Sequence, residues 1–535
     1  MFPTSYKLGS RIVLAGLILA GASILFVPGK TQAADSRLTV TLPSFSVTLN
    51  GKTVDNRNRE YPLIVYKDIT YFPMTWYDSR YLGLENTWSP DQGLTVQQSD
   101  ITAAYHDYAS AEANAARSYR AELAEGPITV NGQAIDNLTE EYPLLSFRNI
   151  TYFPLTWRYA HDAFNWEYDW SDSNGLSIRS GSPQVKDAEL PEYAAANGFA
   201  VYKDYYYFTD TDGPLNHIYR SPVSNPGARE HVYEYTYTNP NLSFSVRDGS
   251  LWLFYHTGGA IMGSDHYVKL NDDGTAEEGP SGKVDFRDSP IGRVLVNYFV
   301  APDPPNLKLV PADSPEPVIL GDPSMIYGWA IRISDDGGTA YSRGNLQVIG
   351  TDLYIHGSPS PVSPENRQES KRIWRIDLKT RKPALISKEP VDRFKVTEDG
   401  RILYVKSADG LLYSSDLNGQ QETLLSGQHK VSQSYPVGEE VFYTVLQEDG
   451  WLYRLYKGRD GKEPERVSEE AFPSIYFTPN RVLAQTAGNM PTLNIYDSQG
   501  KLLTRIAGKA EALFTDGERM LLKLEDEASL RVFQF

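Results

Sequence analysis

The chain has 535 residues, a formal net charge of -17 and no cysteine. That length exceeds a single core and predicts three or four domains. The acidic balance argues against nucleic acid, whose binders need clustered Lys and Arg, and a cysteine-free chain has no disulfide, thiolate metal site or Cys nucleophile.

Residues 1–33 have the layout of an export signal. Lys7 and Arg11 lead into an apolar and small-residue run over residues 12–27, and Thr31-Gln32-Ala33 places small residues where a signal peptidase reads. The run is short for a membrane span. An uncleaved N-terminal anchor is the alternative, and no Cys follows it for lipid attachment. The expectation is a secreted or cell-surface protein that meets a membrane only through this segment, if it is retained.

Residues 60–76 read EYPLIVYKDITYFPMTW and residues 141–157 read EYPLLSFRNITYFPLTW, each preceded by an Asn-Gly pair at Asn50-Gly51 and Asn131-Gly132. Agreement over this length marks an internal duplication, with copies at 44–98 and 126–180. Each copy predicts an Asn-Gly hairpin, a second strand pair (turning near Lys67-Asp68 in the first) and a short helix opened by Pro73. Gly83 stops that helix in the first copy and Asn165 in the second. A closing strand pair follows. The spacing grows by one residue after the helix, so that Trp88 matches Trp170 and Gly93-Leu94 matches Gly175-Leu176; the extra residue is expected at the helix end. Trp76 and Trp157 hold one position in both copies and are expected in the two cores. Residues 101–125, rich in Ala and Glu with Tyr105, Tyr108 and Tyr119 at helical intervals, predict a helix joining the modules.

This pattern resembles the copper amine oxidase N-terminal domain-like module, which is frequent in pairs on exported proteins of Gram-positive bacteria. The usual Arg-Thr-x-Val-Pro-x-Arg core is here Ile69-Thr70-Tyr71-Phe72-Pro73-Met74-Thr75, so the copies are divergent. The resemblance implies neither copper nor oxidase chemistry.

From residue 184 to 535 the texture changes to a unit of about 40 residues: apolar strand, turn, strand ending in an aromatic, polar turn. The clearest copies start at Arg401, Glu440 and Arg481. Eight candidate units predict a β-propeller of six to eight blades, best counted as eight. The last unit lacks a fourth strand, which the segment near Val185 to Leu190 is placed to supply. The loose repeats resemble low-density lipoprotein receptor-like and TolB-like propellers. The expected fold is mainly β: two small α+β modules joined by a helix, then the propeller.

Chemistry is sparse. Asp-Gly pairs such as Asp212-Gly213 and Asp399-Gly400 fit hairpin turns better than calcium loops. The histidines His106, His161, His217, His231, His256, His266, His356 and His429 show no metal-ligand spacing, although His256 and His266 fall in neighbouring strands. There is no G-x-S-x-G, Walker or dinucleotide pattern. No catalytic, cofactor or metal residue is assigned, and no ligand-binding residue is identified. The sequence thus predicts an exported binding or scaffold protein without catalysis or cofactor, its propeller facing an extracellular protein or cell-wall glycan. An extracellular propeller hydrolase or lyase acting on polysaccharide is the alternative.

Overall fold

A computed structural model describes residues 37–236, 241–259, 263–298, 303–333 and 339–535. The predicted export signal lies outside them. Among the described residues no helix is long and apolar enough to cross a membrane.

The back half is an eight-bladed propeller. Blade one comprises Phe199–Tyr202, Tyr205–Asp212, Leu215–Pro222 and Glu230–Thr236, and seven further sheets repeat this antiparallel order. Among the described residues, eight buried clusters join neighbouring blades and complete the circle, from Tyr207 of blade one with Leu253 of blade two to Leu521 of blade eight with Phe208 of blade one. Blade eight is built from Ala510–Thr515, Arg519–Leu524 and Arg531–Gln534, and its fourth strand is Val185–Asp187, antiparallel to the last of these. The first strand of the ring thus fastens the last blade, as the missing strand in the sequence suggests, and the sheet edge is covered.

Blade four departs from the pattern. Its inner strand is split into Met325–Tyr327 and Leu346–Ile349, both paired with Asp352–Pro359. The hairpin Trp329–Ile333 with Thr339–Arg343 is inserted between the two halves. His356, fully buried, fastens this insertion: its Nδ1 accepts from the Asn345 N–H at 2.9 Å, and its Nε2 lies 3.0 Å from the Val391 carbonyl of blade five. Burial pulls the imidazole down to about 4. Its folded value therefore lies below the unfolded one, near 6.5. The neutral ring contributes stability above that value, and the contribution is lost as pH falls from about 6.5 to 4. Denaturant titrations across that interval are expected to show a loss of about 1.4 kcal/mol per unit at most, and the slope flattens in His356→Gln.

The two sequence repeats form one intertwined body. The opening hairpin of each pairs in parallel with the closing hairpin of the other: Leu176 to Ile178 lie beside Val47 to Leu49, and Leu94 to Val96 beside Ile128 to Val130. At the centre Ile69–Pro73 runs antiparallel to Ile150–Pro154, with Phe72 opposite Phe153. These two are the same position of the duplicated sequence, so a pseudo-two-fold axis passes between them. One apolar core contains Val47, Leu49, Phe72, Val96, Val130, Phe153, Trp166 and Ile178 from both copies. The turn asparagines tie the exchange down. Asn50 accepts from the Ser180 N–H and donates to the Tyr81 carbonyl; Asn131 does the same with Gln98 and Ala163.

Three local expectations are corrected. Pro73 ends the central strand and does not open the helix, which spans Trp76–Tyr81 and is capped by Thr75. The residue gained in the second copy sits inside its helix: Trp157–Ala163 is a π-helix, with the Phe164 N–H bonded to the Tyr159 carbonyl. Gly83 and Asn165 both take positive φ after their helices, as expected.

Third, residues 101–125 contain no helix. Ile101–Thr102 is added in parallel to the outer strand of blade seven, Leu502–Ala507. The chain then returns across the first repeat, where Ser110 and Asn114 bond to the Asn58 and Arg57 carbonyls. Tyr119–Leu123 joins the six-stranded central sheet. Helix propensity here is overridden by tertiary anchors: the Tyr105 and Tyr108 rings close over Arg59.

Candidate binding surface on the second repeat

The pseudo-two-fold makes the two helix faces directly comparable. In the first repeat Trp76 is covered. It packs with Tyr77 on Ile101, Ala103 and Ala507, the Arg80 guanidinium lies 4.2 Å over its ring, and Arg505 of blade seven pairs with Glu85 at 2.7 Å. This is where the doubled unit is fixed to the propeller.

In the second repeat the same position is bare. Trp157 is 59% exposed, which corrects its expected place in a core. Its ring is stacked on His161 at 4.0 Å and 17°, one helical turn away. Tyr168 stands edge-on at 6.3 Å. Two residues along the same strand face, Trp170 is 51% exposed and braced by Phe45 at 4.5 Å. The result is a run of rings, Trp157, Tyr168 and Trp170, on the outer edge of the swapped sheet. The polar groups around it are held: both Glu140 oxygens accept from Arg158 at 2.6 and 2.7 Å, and His161 Nδ1 lies 2.9 Å from Asp162.

The substitutions that make this surface are visible when the copies are aligned. Arg80 becomes His161, so the cation over the Trp is replaced by a flat ring. Asn86, which bonds Arg80 and the Met74 carbonyl, becomes Tyr168. A contiguous exposed apolar patch rimmed by polar groups is the usual mark of a binding site.

Other singled-out residues are accounted for as follows. Of the remaining tryptophans, Trp166, Trp252 and Trp329 are core, Trp374 is half-buried, and Trp88 and Trp451 are exposed. His256 and His266 do not meet. His256 stands opposite Asp265 and His266 opposite Tyr255, so they point to opposite faces. His256 Nδ1 lies 2.7 Å from Asp265 Oδ1, whose other oxygen takes Arg343 of the inserted hairpin at 3.2 Å. His266 stacks on Tyr255 at 4.8 Å, and burial lowers its basicity. A cavity of about 860 Å³ opens among blades four to seven, and three of its four lining carboxylates are paired: Asp399 and Asp460 with Arg401, and Glu439 with Arg459. One association was missed from sequence. His217, His231 and Glu234 are brought together on blade one.

No family model and no curated protein matches the chain. Solved structures with a likeness include one of two prolyl endopeptidases, with 10% identity over 63% of this chain and 56% of that one, TM-score 0.39. TolB from Acinetobacter baumannii has 13% identity over 61% and 79%, TM-score 0.29. The β-propeller domain of the trilobed protease from Pyrococcus furiosus has 10% over 62% and 95%, TM-score 0.32. Oligopeptidase B from Trypanosoma brucei is also among them, with 12% identity over 62% and 53%, TM-score 0.34. The chain thus spans little more than half the length of the peptidases it resembles. The expectation that the chain is not an enzyme is withdrawn on this finding, because several of its structural neighbours are enzymes. The fold itself is a β-propeller carrying an intertwined β-rich unit.

Proposed function

We propose that the protein is an exported polysaccharide-binding protein of the cell surface or its surroundings. Its second repeat takes the glycan on Trp157, Tyr168 and Trp170, and cell-wall glycan is the ligand class. The bare face of repeat two, where its symmetry mate is covered, carries this reading. The apolar C–H face of a sugar ring stacks on the electron-rich face of an indole or phenol. A run of three rings suits an extended chain better than a single sugar. The reading moves the working surface from the propeller to the doubled unit. Lys7, Arg11 and the apolar run support export, and the Pro-ended strand and short helix support a divergent copper amine oxidase N-terminal domain-like ancestry for the repeats.

The test is affinity electrophoresis and co-sedimentation with purified cell-wall polysaccharide and peptidoglycan. Wild type is expected to be retained. Trp157→Ala and Trp170→Ala are each expected to weaken retention about tenfold, the loss of one stacking contact of roughly 1.4 kcal/mol, whereas exposed Trp451→Ala is expected to have no effect. No retention on any wall fraction, or equal retention of all four proteins, overturns the assignment. Assaying the same incubations for released reducing ends shows whether bound glycan is also cleaved.

A further inference from the structure

On the outer half of blade one, far along the chain from the aromatic surface, three side chains converge. His217 Nδ1 lies 3.3 Å from Glu234 Oε2 and 3.4 Å from His231 Nε2. His231 Nε2 lies 3.6 Å from Glu234 Oε2. We propose that this triad is a zinc site, with two imidazoles and one carboxylate as ligands and a fourth position open to solvent.

The distances carry the argument. Zinc takes His nitrogen and carboxylate oxygen at about 2.0–2.2 Å in a tetrahedral array. The edge of such a tetrahedron is about 3.3–3.6 Å, from the same bond lengths. All three observed separations fall on it, so one ion in the middle reaches every ligand without moving the backbone. An octahedral oxygen-preferring ion such as magnesium wants adjacent ligands at about 3.0 Å and mostly oxygen donors, which two imidazoles do not offer. Imidazole with carboxylate is a donor set suited to zinc.

The backbone explains how the three meet. Glu234 faces His217 directly across the pair formed by Leu215–Pro222 and Glu230–Thr236. His231 is three residues before Glu234, and an odd separation in a regular strand places two side chains on opposite faces. The ladder, however, shifts register between Ile218 and Tyr219: Ile218 pairs with Tyr233, Tyr219 with His231, and Val232 is left over. That bulge turns His231 back to the face of His217 and Glu234. Bulges commonly re-aim a side chain in this way beside functional sites. It also explains why no ligand spacing is visible in the sequence.

The site is accessible. The His217 side chain is 18% exposed, while His231 and Glu234 are about half exposed. The Tyr219 ring lies 5.6 Å from that of His231 and 6.2 Å from that of His217, bordering the site on one side. The open position faces outward from the blade's edge strand, and water occupies it or a donor atom from a partner. The ion also cross-links the two outermost strands of blade one.

The test uses untagged full-length protein, stripped with chelator and titrated with zinc chloride by calorimetry, and with cobalt chloride by visible absorption. One equivalent of zinc is expected to bind per chain, and cobalt is expected to give the intense visible bands of a tetrahedral site. His217→Ala and His231→Ala are each expected to weaken zinc at least tenfold and abolish those bands, and Glu234→Gln to weaken it several-fold. His429→Ala, whose ring packs on Tyr443 and Tyr456 well away from the triad, is expected to bind as wild type. The thermal midpoint of wild type rises with zinc, and those of the two His variants do not. Absence of zinc binding at 100 μM metal (about the weakest affinity worth calling a site), binding unchanged by the substitutions, or a weak six-coordinate cobalt spectrum overturns the proposal. Circular dichroism of each variant checks that the blade is intact.

Discussion

Replacing Gly175 by Ala is expected to disrupt the interlocked repeats, at a cost of about 3 kcal/mol or more. Gly175 has φ of +73°, and a Cβ there would stand 2.1 Å from the Ser46 carbonyl oxygen. The same oxygen accepts the Leu176 N–H at 2.9 Å, the bond that starts the exchanged parallel pairing. Gly93 repeats this in the other copy: φ is +67°, a Cβ would meet the Pro127 oxygen at 2.0 Å, and Leu94 donates to that oxygen. The obstacle in each case is backbone, which has no rotamer in which to retreat. Gly132 separates strain from collision. It has φ of +78° with nothing within 4 Å, so Gly132→Ala costs only the left-handed conformation, about 1 kcal/mol. Denaturant unfolding of the three variants, followed by tryptophan fluorescence, is expected to rank Gly175→Ala and Gly93→Ala together and well below Gly132→Ala. Equal losses in all three would mean that the exchanged pairing does not govern the stability of this unit.

What the sequence shows and what it hides divide along a physical line. Strand–turn chemistry is local, so the Asn50 and Asn131 hairpins, the cap positions at Gly83 and Asn165 and the blade period are legible residue by residue. So is the missing strand of blade eight, because an unpaired edge is a debt that some segment must settle. The exchange between repeats is not legible. Leu94 and Leu176 present the same face to a parallel partner whichever copy supplies it, and only the path of residues 101–118 decides. That path was misjudged because Ala and Glu favour helix locally, while Tyr105 and Tyr108 find Arg59 only in the folded chain. The aromatic surface was hidden by the duplication itself: Trp76 and Trp157 look equivalent, and the information lies in the unlike neighbours, His161 for Arg80 and Tyr168 for Asn86. The zinc triad depends on a single unpaired residue, Val232, which no periodicity reveals.

The second large effect is expected at the buried pair Arg59–Asp78, where repeat one solves a problem that repeat two avoids. Both side chains are 1% exposed and ion-paired. Asp78 also accepts from Thr75 Oγ1 at 2.7 Å, while its N–H donates to the same hydroxyl as the helix cap. The remaining guanidinium nitrogens of Arg59, Nε and Nη1, find no acceptor among the described residues; the rings of Tyr105 and Tyr108, with centroids at 5.8 and 5.5 Å, enclose it instead. Asp78→Ala leaves that cation buried with no counter-charge, so a loss of about 3–5 kcal/mol is expected. In repeat two the matching residues are Glu140, paired near the surface with Arg158, and Tyr159, buried against Phe153 and Phe164. The same architecture therefore tolerates an uncharged residue at the position of Asp78. Replacing both partners, Arg59→Met with Asp78→Leu, removes the stranded charge along with its partner, and is expected to recover most of what Asp78→Ala loses. A double-mutant cycle in denaturant reads the coupling directly. A cost below about 1 kcal/mol for Asp78→Ala, the range of exposed pairs, would show that water reaches Arg59. In that case the strap formed by residues 101–118 does not seal this side of the first repeat.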